Sequence, residues 1–385
     1  MKILAIETSC DETAVCVVEC KGLPEQGDFS MHTLGNALNS QINLHKEFGG
    51  VVPMMAKREH AKNLIPLFTD ALNQADLFPI KQNALSKEQH EVLAEIFGRE
   101  TEFKDDFISY IQSVGTPKID AIAVTEGPGL EPALWMGIIF AKALAYVFDL
   151  PLIPVNHMEG HILSVLPQEI RFPALALLIS GGHTELVLMR EWLSYEIIGQ
   201  TRDDAVGEAF DKVARMLDLP YPGGPEISKL AEERRSYLAH LSDTTQTSTL
   251  PYILPRPMIH SKDFDFSFSG IKTAVLYSLK ENKLPKEVVA KEFEDAVTDV
   301  LISKTFRAIE EYGIRSLIIG GGVISNSFIR TQFTEKIASF PDTELLLPNP
   351  DLRTDNALMI AAAGYIRFLR NKDQRALKAD GNKRL

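Results

Sequence analysis

The chain has 385 residues, of which 45% are hydrophobic and 24% are charged, and its formal net charge is −12. This length predicts two or three domains, and this composition excludes a largely disordered chain. The acidic balance argues against nucleic-acid binding by the surface as a whole, so any nucleic-acid substrate would need a local basic patch or a helper subunit.

The sequence predicts a cytoplasmic protein without membrane attachment. No apolar run reaches the roughly 18–20 residues that a membrane span requires. Glu7 interrupts the apolar run at the N-terminus, so this run is not typical of a signal peptide. Cys10, Cys16 and Cys20 lie at neither CxxC nor zinc-ribbon spacing, which favours reduced thiols.

The first half of the chain predicts a β-hairpin and, further on, a strand that runs into a glycine loop and a helix. Two mainly apolar runs, residues 2–7 and 14–20, flank a polar turn. Residues 119–125 lead to the loop 127–129 and to a helix from about Pro132 to Phe148. Between these elements, the apolar residues of 78–118 have helical spacing, which indicates a helical insertion.

The second half repeats this order. Residues 174–179 and 185–189 flank the turn 180–184, and residues 316–319 lead to glycines 320–322 and a helix near Asn326. The duplication predicts an α/β protein with two lobes that face each other across a cleft. Glycine loops 127–129 and 180–182 are typical of anion-binding turns, and loop 320–322 would admit a purine beside Asn326. The alternative is that these glycines only satisfy local backbone conformations.

His157 and His161 are four residues apart in a segment predicted to be helical. Side chains at this spacing share one helix face and can bind one metal ion. Met158 stands where a zinc peptidase has its catalytic Glu, and Glu159 points away from the histidines, so the pair indicates a metal site but not that of a zinc peptidase. The alternative is a pair of surface or capping histidines.

The C-terminal segment is rich in basic residues that could contact phosphates. The alternative is that they only complement a helix dipole. These residues are Arg367, Arg370, Lys372, Arg375, Lys378, Lys383 and Arg384.

Taken together, the motifs resemble those of the TsaD family, also called Kae-type or Gcp/OSGEP-type proteins. The family belongs to the superfamily of actin-like ATPases, Hsp70 and sugar kinases. The matching stretches are residues 6–13, 49–53 with Arg58 and His60, 127–130, 156–161, 180–184, 207–212, 221–225, 266–273, 321–323 with Asn326, and 355–357. They follow one another in family order along nearly the whole chain.

The resemblance implies two actin-like (RNase H-like) lobes around a nucleotide cleft. The expected limits are residues 1–155 for the first lobe, with the insertion at about 78–118, and 156–345 for the second. Residues 346–385 would form a C-terminal segment that returns toward the cleft and the first lobe.

The resemblance also implies an activity. Family members transfer a threonylcarbamoyl group from threonylcarbamoyl-AMP to the exocyclic amine of the adenosine 3′ of the tRNA anticodon. By matching motifs, His157, His161 and Asp355 would ligate one divalent metal ion, Fe²⁺ first and Zn²⁺ as the alternative. The implied substrate-binding residues are Leu178, Ile179, Ser180, Gly181 and Gly182 around the phosphate and carbamoyl groups, Asp211 and Gly224 at the ribose, and Asn326 at the adenine.

The amine of adenosine is a poor nucleophile and needs a nearby proton acceptor. Asp11, in the turn of the first hairpin, is the predicted base. The alternative is that Asp11 only caps the turn or orients a metal-bound water.

The expected partners are tRNA, a TsaB-type paralogue and a TsaE-type ATPase. Other functions left open are a small-molecule carbamoyltransferase, an ATP-binding kinase of the same superfamily, and a non-catalytic scaffold. A kinase would leave the histidine pair unexplained, and a scaffold would tolerate its loss.

Overall fold

The computed structural model describes residues 1–78, 84–240, 252–281, 284–370 and 377–385. The strands are β1 (Lys2–Glu7), β2 (Glu12–Lys21), β3 (Ser30–Ser40), β4 (Ala121–Gly127), β5 (Leu152–Asn156), β6 (Ala174–Ile179), β7 (Thr184–Glu191), β8 (Ser194–Gln200), β9 (Ser316–Gly320) and β10 (Glu344–Leu346). The α-helices are α1 (Ile42–His45), α2 (Pro53–Gln74), α3 (Lys87–Phe97), α4 (Thr101–Ser113), α5 (Glu131–Phe148), α6 (His157–Leu163), α7 (Val206–Met216), α8 (Gly223–His240), α9 (Ser269–Glu281), α10 (Lys286–Tyr312), α11 (Ser327–Ile337) and α12 (Ala357–Leu369).

The chain divides into two compact units. The first unit contains Met1–Glu169 together with Asp355–Leu385, and the second contains Ile170–Thr354. The domain limits predicted from the sequence follow the order of motifs rather than the density of contacts, and they stay a prediction.

In the first unit, the described strands form a five-stranded sheet in the order β3-β2-β1-β4-β5. Strand β1 pairs antiparallel with β2 and parallel with β4. Both faces of the sheet are covered, which is why β1 reads as a continuous apolar run rather than an alternating one. Helices α2 and α5 pack on one face, and α12 packs against β1, β2, β4 and β5. Gly364 allows that close approach, because a Cβ there would lie 2.7 Å from the Cβ of Ala123.

The predicted insertion is a pair of helices, α3 and α4. Ser86 and Gln89 form a reciprocal capping box at the start of α3. Phe97, Phe103 and Phe107 cluster with one another, and the last two also contact Phe140 of α5. These contacts bury the apolar faces of α3 and α4 against the first unit, so the helical prediction is confirmed.

In the second unit, the described strands form a five-stranded sheet in the order β10-β9-β6-β7-β8. Strand β6 pairs antiparallel with β7 and parallel with β9, as β1 does with β2 and β4. Helices α7 to α11 supply buried residues to the core beside β6, β7 and β9. The two sheets share one topology, so the predicted duplicated α/β plan is confirmed.

Helix α5 is the one described helix that is long and apolar enough to cross a membrane, with a mean hydropathy of 1.3 over 18 residues. Eleven of its residues are buried, and Phe140 contacts aromatic side chains of α2 and α4. Packing inside the first unit accounts for this composition.

Candidate metal centre and nucleotide pocket

Helix α6 starts immediately after β5 and presents the histidine pair. The side chain of Asn156 caps the helix by accepting hydrogen bonds from the N–H groups of Met158 and Glu159, at 2.8 and 3.3 Å. His157 and His161 follow one turn apart, with ring centroids 4.7 Å apart and planes at 82°. The helical face predicted from the i,i+4 spacing is therefore present.

Asp355 completes a cluster of three potential ligands in the first unit. Its Oδ1 lies 3.5 Å from Nε2 of His157 and 3.2 Å from Nε2 of His161. One donor atom from each residue lies within 4.8 Å of the others, which is close enough for all three to bind one ion. The histidines are buried, whereas 22% of the Asp355 side chain is exposed, so the cluster is accessible on the carboxylate side.

The hydrogen bonding of His161 supports a metal in this cluster. His161 is 1% exposed, yet neither of its ring nitrogens makes a hydrogen bond within the part of the chain that the structure describes, and the nearest polar group is the Asp355 carboxylate at 3.2 Å from Nε2. Unsatisfied buried polar atoms are rare and costly in native proteins. Two imidazoles and a carboxylate are also a donor set that suits Fe²⁺ or Zn²⁺. The residues present therefore fit a divalent cation.

Glu7 lies behind the cluster and orients His157. Its Oε2 is 3.3 Å from Nδ1 of His157, so the opposite nitrogen, Nε2, faces Asp355 and His161. The carboxylate is fully buried and also accepts hydrogen bonds from Thr125 Oγ1 and the Ser9 N–H, both at 2.5 Å. A carboxylate on the far nitrogen of a ligating histidine is the usual arrangement at metal sites.

The charges around His157 alter its protonation. Burial alone lowers the pKa of His157, but Asp355 and Glu7 outweigh this effect and raise the pKa to about 9. Burial raises the pKa of Glu7, and the proximity of His157 more than reverses that shift, leaving the pKa of Glu7 lowered. A cation bound to His157 must displace the ring proton, so its affinity is expected to increase with pH.

The predicted base, Asp11, lies in the turn between β1 and β2, and it is 8% exposed. His60 of α2 holds this turn from two sides. Its Nε2 is 3.0 Å from the carbonyl oxygen of Cys10, and its Nδ1 is 2.8 Å from Thr13 Oγ1. Burial lowers the pKa of His60 to about 4, so the ring is neutral at physiological pH. The position of Asp11 thus depends on a buried histidine that the sequence named only as part of a family motif, without a role.

Glu12, next to Asp11, is another residue that sequence reasoning missed. Burial raises its pKa, the neighbouring Asp355 and Asp11 raise it further, and the resulting pKa is about 9. A protonated carboxyl beside two carboxylates indicates how strongly negative this region is without a cation.

Cys10 has the opposite properties to a catalytic thiol. Burial raises the pKa of Cys10 well above its usual value, and Asp11 and Asp355 add to the effect. Since the thiolate is the nucleophilic form, we expect Cys10→Ser to keep the rate of the catalysed reaction within about threefold of wild type. A steady-state assay of the variant checks this, and a loss above tenfold would contradict it.

Glycine loop 127–129 does not have the donors that the sequence suggested. Pro128 has no N–H group, the N–H of Gly129 bonds to the Gly381 carbonyl at 3.2 Å, and the N–H of Leu130 bonds to the Ser9 carbonyl at 2.7 Å. Asp380 N–H bonds to the Glu126 carbonyl, so the C-terminal residues lie along this loop. The prediction of an anion-binding turn here is wrong.

The second unit contains a cavity of about 510 Å³. Its wall is formed by the N-terminal parts of α7, α8 and α11 and by glycine turns. The lining residues are Gly181, Gly207, Phe210, Asp211, Pro222, Gly224, Pro225, Ser228, Lys229, Glu232, Gly322, Val323, Ser325, Asn326 and Ser327. Of the residues named from the sequence, the cavity brings together Gly181, Asp211, Gly224 and Asn326.

The other predicted phosphate and carbamoyl residues lie at the end of β6. Leu178 and Ile179 are fully buried in the strand and are not part of the cavity wall. Ser180 Oγ accepts hydrogen bonds from the N–H groups of Gly182 and His183, at 3.3 and 3.0 Å. Gly181, between Ser180 and Gly182 in the chain, contributes to the cavity wall.

Asp211 and Asn326 each have a structural role in the cavity wall. Asp211 accepts the N–H of Gly223 at 2.7 Å, and burial raises its pKa. Asn326 caps α11 by accepting the N–H of Ile329 at 3.0 Å, and it donates to Glu294 Oε1 at 2.6 Å. One lone pair and one N–H of the Asn326 amide remain for a ligand.

In the C-terminal basic segment, Arg367 pairs with Glu159 and Arg370 with Glu25, so neither fits the phosphate-contact interpretation.

Lys383 of this segment pairs with Glu126 at 3.0 Å. The side chains of Lys378 and Arg384, in the same segment, are exposed. Lys372 and Arg375 lie outside the described residues.

Comparison with known proteins gives consistent matches. The sequence profile of the TsaD family, described as tRNA N6-adenosine threonylcarbamoyltransferase, matches residues 32–84 and 111–362. The unmatched stretch 85–110 falls on α3 and most of α4, in agreement with an insertion.

Curated relatives bear the same description. The protein of Staphylococcus carnosus is 42% identical over 95% of this chain and 91% of its own length, and that of Bacillus cereus is 41% identical over 96% and 92%. A crystal structure of full-length HypF, in the phosphate- and nucleotide-bound form, aligns at 12% identity with a TM-score of 0.51, over 98% of this chain and 47% of that one. The last likeness shows the fold alone. The relatives and the profile show that the chain belongs to the TsaD family of tRNA N6-adenosine threonylcarbamoyltransferases.

Proposed function

We propose that this protein transfers the threonylcarbamoyl group from threonylcarbamoyl-AMP to the N6 amine of the adenosine 3′ of the anticodon in tRNAs that read ANN codons, with release of AMP. Membership of the TsaD family carries the proposal. The histidine–aspartate cluster of the first unit and the cavity of the second support it. The kinase and scaffold alternatives do not account for the buried cluster of His157, His161 and Asp355.

In the first unit, His157, His161 and Asp355 would hold one divalent cation, Fe²⁺ in the first place and Zn²⁺ as the alternative. When bound, the ion would supply Lewis-acid polarisation of the carbamoyl carbonyl and a binding point for the threonyl group. Glu7 fixes the ring of His157 so that Nε2 faces the cluster.

In the second unit, the cavity would bind the adenylate. Its volume of about 510 Å³ is within the range of nucleotide-sized ligands. Asp211 and Gly224 would contact the ribose, Asn326 the adenine side, and the turn Ser180–Gly181–Gly182, with Leu178 and Ile179 before it, the phosphate and carbamoyl region. For Leu178 and Ile179 this role is limited to shaping the strand end, because both are fully buried.

Asp11 would act as the base. In the transfer step, the amine nitrogen forms a bond to the carbamoyl carbon, and the bond between that carbon and the phosphate oxygen breaks. AMP leaves with the electron pair of that bond, and the proton of the amine passes to the Asp11 carboxylate. An anticodon-loop adenosine is accessible for this reaction at a lower energetic cost than a base in a duplex.

The family further suggests a TsaB-type paralogue and a TsaE-type ATPase as partners, and a cytoplasmic location. The direct test follows labelled threonylcarbamoyl from its adenylate into unmodified tRNA, with and without these partners. Label that appears in tRNA with the wild type but not with His157→Ala/His161→Ala would support the reaction and the metal site. No label with any partner combination, while the wild type retains one metal ion, would contradict the tRNA substrate and favour a small-molecule carbamoyl acceptor.

Glu7→Gln provides a test of the metal cluster that does not depend on tRNA. We expect the affinity for the divalent ion to fall by roughly 10- to 100-fold, the usual effect of changing a partner of a ligating histidine. Equilibrium titration of the metal-free protein measures it. Glu19→Gln, which removes an exposed carboxylate from the same sheet, is the control. Equal metal affinities for the wild type, Glu7→Gln and Glu19→Gln would show that Glu7 does not orient His157 for metal binding.

A further inference from the structure

Glu159 and Arg367 form a buried, two-pronged ion pair in the first unit. Arg367 Nε donates to Glu159 Oε1 at 2.7 Å, and Arg367 Nη2 donates to Oε2 at 2.8 Å. Glu159 is fully buried, and only 11% of the Arg367 side chain is exposed. Such bidentate pairs fix both the distance and the orientation of the two groups.

The pair joins α6, which carries both histidines, to α12, which begins two residues after Asp355. Glu159 lies in α6 between His157 and His161, and it projects to the side opposite their shared face. Arg367 lies near the end of α12, and Asp355 is separated from the start of α12 only by its capping residue, Asn356. A shift of α12 relative to α6 would therefore move Asp355 relative to both histidines.

Close packing at the next residue reinforces this connection. A Cβ at Gly160 would lie 3.0 Å from Cδ1 of Ile360 and 3.2 Å from Cγ of Met359. The glycine thus lets α6 contact the first turn of α12, while the ion pair holds the last turn. The two contacts lie at opposite ends of α12, so together they determine both the distance and the angle between α6 and α12.

Stability alone does not account for the pair. Removing two charges from water costs several kcal/mol, and apolar residues of similar volume often stabilise a core equally well. What an ion pair adds is a defined geometry, and the three potential ligands lie in α6 and directly before α12, the two helices that it connects.

We propose that Glu159 and Arg367 are positioning residues that set the placement of Asp355 relative to His157 and His161, and thereby the affinity and coordination geometry of the metal. The inference rests on the metal site of the proposed function. It concerns neither substrate nor transfer, so it can be tested on the isolated protein with the metal alone.

The test uses metal-free full-length protein titrated with Co²⁺, whose visible absorption reports both occupancy and ligand geometry. We expect Glu159→Gln to weaken binding at least tenfold and to change the absorption spectrum. Arg367→Lys keeps the positive charge but loses the planar guanidinium group that binds both carboxylate oxygens. We therefore expect a smaller loss of Co²⁺ affinity, of about threefold or more, with a spectral change in the same direction. The exchange Glu159→Arg/Arg367→Glu is expected to recover part of the affinity.

Glu100→Gln is the matched control, because it removes the carboxylate of another ion pair between helices of the same unit, with Lys57 at 2.5 Å. It is expected to bind Co²⁺ as the wild type does. Should Glu159→Gln fail to fold, Arg367→Lys decides the question. Wild-type affinity and an unchanged spectrum in the folded variants, even with lower thermal stability, would overturn the positioning role. Failure of the wild type to bind any divalent ion would instead overturn the metal site itself.

Discussion

Replacement of His161 with alanine is expected to abolish tight binding of the metal and to lower the rate of threonylcarbamoyl transfer by at least about 10³-fold, equivalent to about 4 kcal/mol of transition-state stabilisation. His161 is the most informative ligand to remove. Among the described residues, neither of its nitrogens makes a hydrogen bond, and its one close polar neighbour is Asp355, another of the three potential ligands, at 3.2 Å from Nε2. The loss of His157 would, in contrast, also leave the buried Glu7 carboxylate without its cationic neighbour.

Metal content per protein and single-turnover transfer to tRNA measure the two effects. His45→Ala is the control, because it also removes a buried histidine of the first unit, one whose nitrogens lie 3.3 Å from Gln41 Oε1 and the Val52 N–H. We expect that variant to lose stability and to keep its metal. If His161→Ala retained one tightly bound ion and wild-type rates, the cluster would not be the metal site.

The parts of the fold that the sequence predicted are those determined by local patterns. Two apolar runs around a polar turn predict each hairpin, and a strand followed by glycines and an amphipathic stretch predicts each strand–loop–helix. The i,i+4 spacing of His157 and His161 predicts their shared helix face without any tertiary information. Helices α3 and α4 were predicted for the same reason, since their apolar residues have helical periodicity.

The remaining features of the site depend on contacts between residues distant in sequence. Glu7 is one more strand residue in the sequence, and only the pairing of β1 with β4, and of β4 with β5, brings it to His157 at the start of α6, 150 positions away. In the sequence, Arg367 is only a basic residue at a helix end. The packing of α12 on α6 is what pairs it with Glu159, 208 positions away. Loop 127–129 was misinterpreted because its donors are occupied by the C-terminal residues.

Removal of the Glu294 carboxylate is expected to affect both the stability of the second unit and its cavity. Glu294 is fully buried, and it accepts hydrogen bonds from Arg235 at 2.5 Å and Asn326 at 2.6 Å. Burial raises its pKa, and the contacts with Arg235 and Asn326 only partly offset this effect. Glu294→Ala leaves Arg235 with Asp295 as its remaining carboxylate partner, and we expect the free energy of unfolding to fall by about 3 kcal/mol.

The same change removes one of two hydrogen bonds that hold the Asn326 amide, which lines the cavity. The amide oxygen keeps the Ile329 N–H, but the amide nitrogen loses its acceptor and offers a less defined hydrogen-bonding surface. We therefore expect the affinity for AMP to fall about tenfold, as measured by calorimetric titration. Glu294→Gln keeps an acceptor for Asn326 but removes the charge. It should therefore lose stability while binding AMP nearly as well as the wild type, which would separate the two effects.

Glu292→Ala is a matched control on the same helix, α10. Glu292 accepts the Leu254 N–H at 2.9 Å and pairs with Arg256, which also binds Asp299 at 2.9 Å, so its connections resemble those of Glu294. It does not line the cavity. We expect a smaller loss of stability, of about 1–2 kcal/mol, because this pair is less buried, and an affinity for AMP within twofold of wild type. If Glu292→Ala and Glu294→Ala weakened AMP binding equally, the effect would come from general loosening of the second unit and not from the orientation of Asn326.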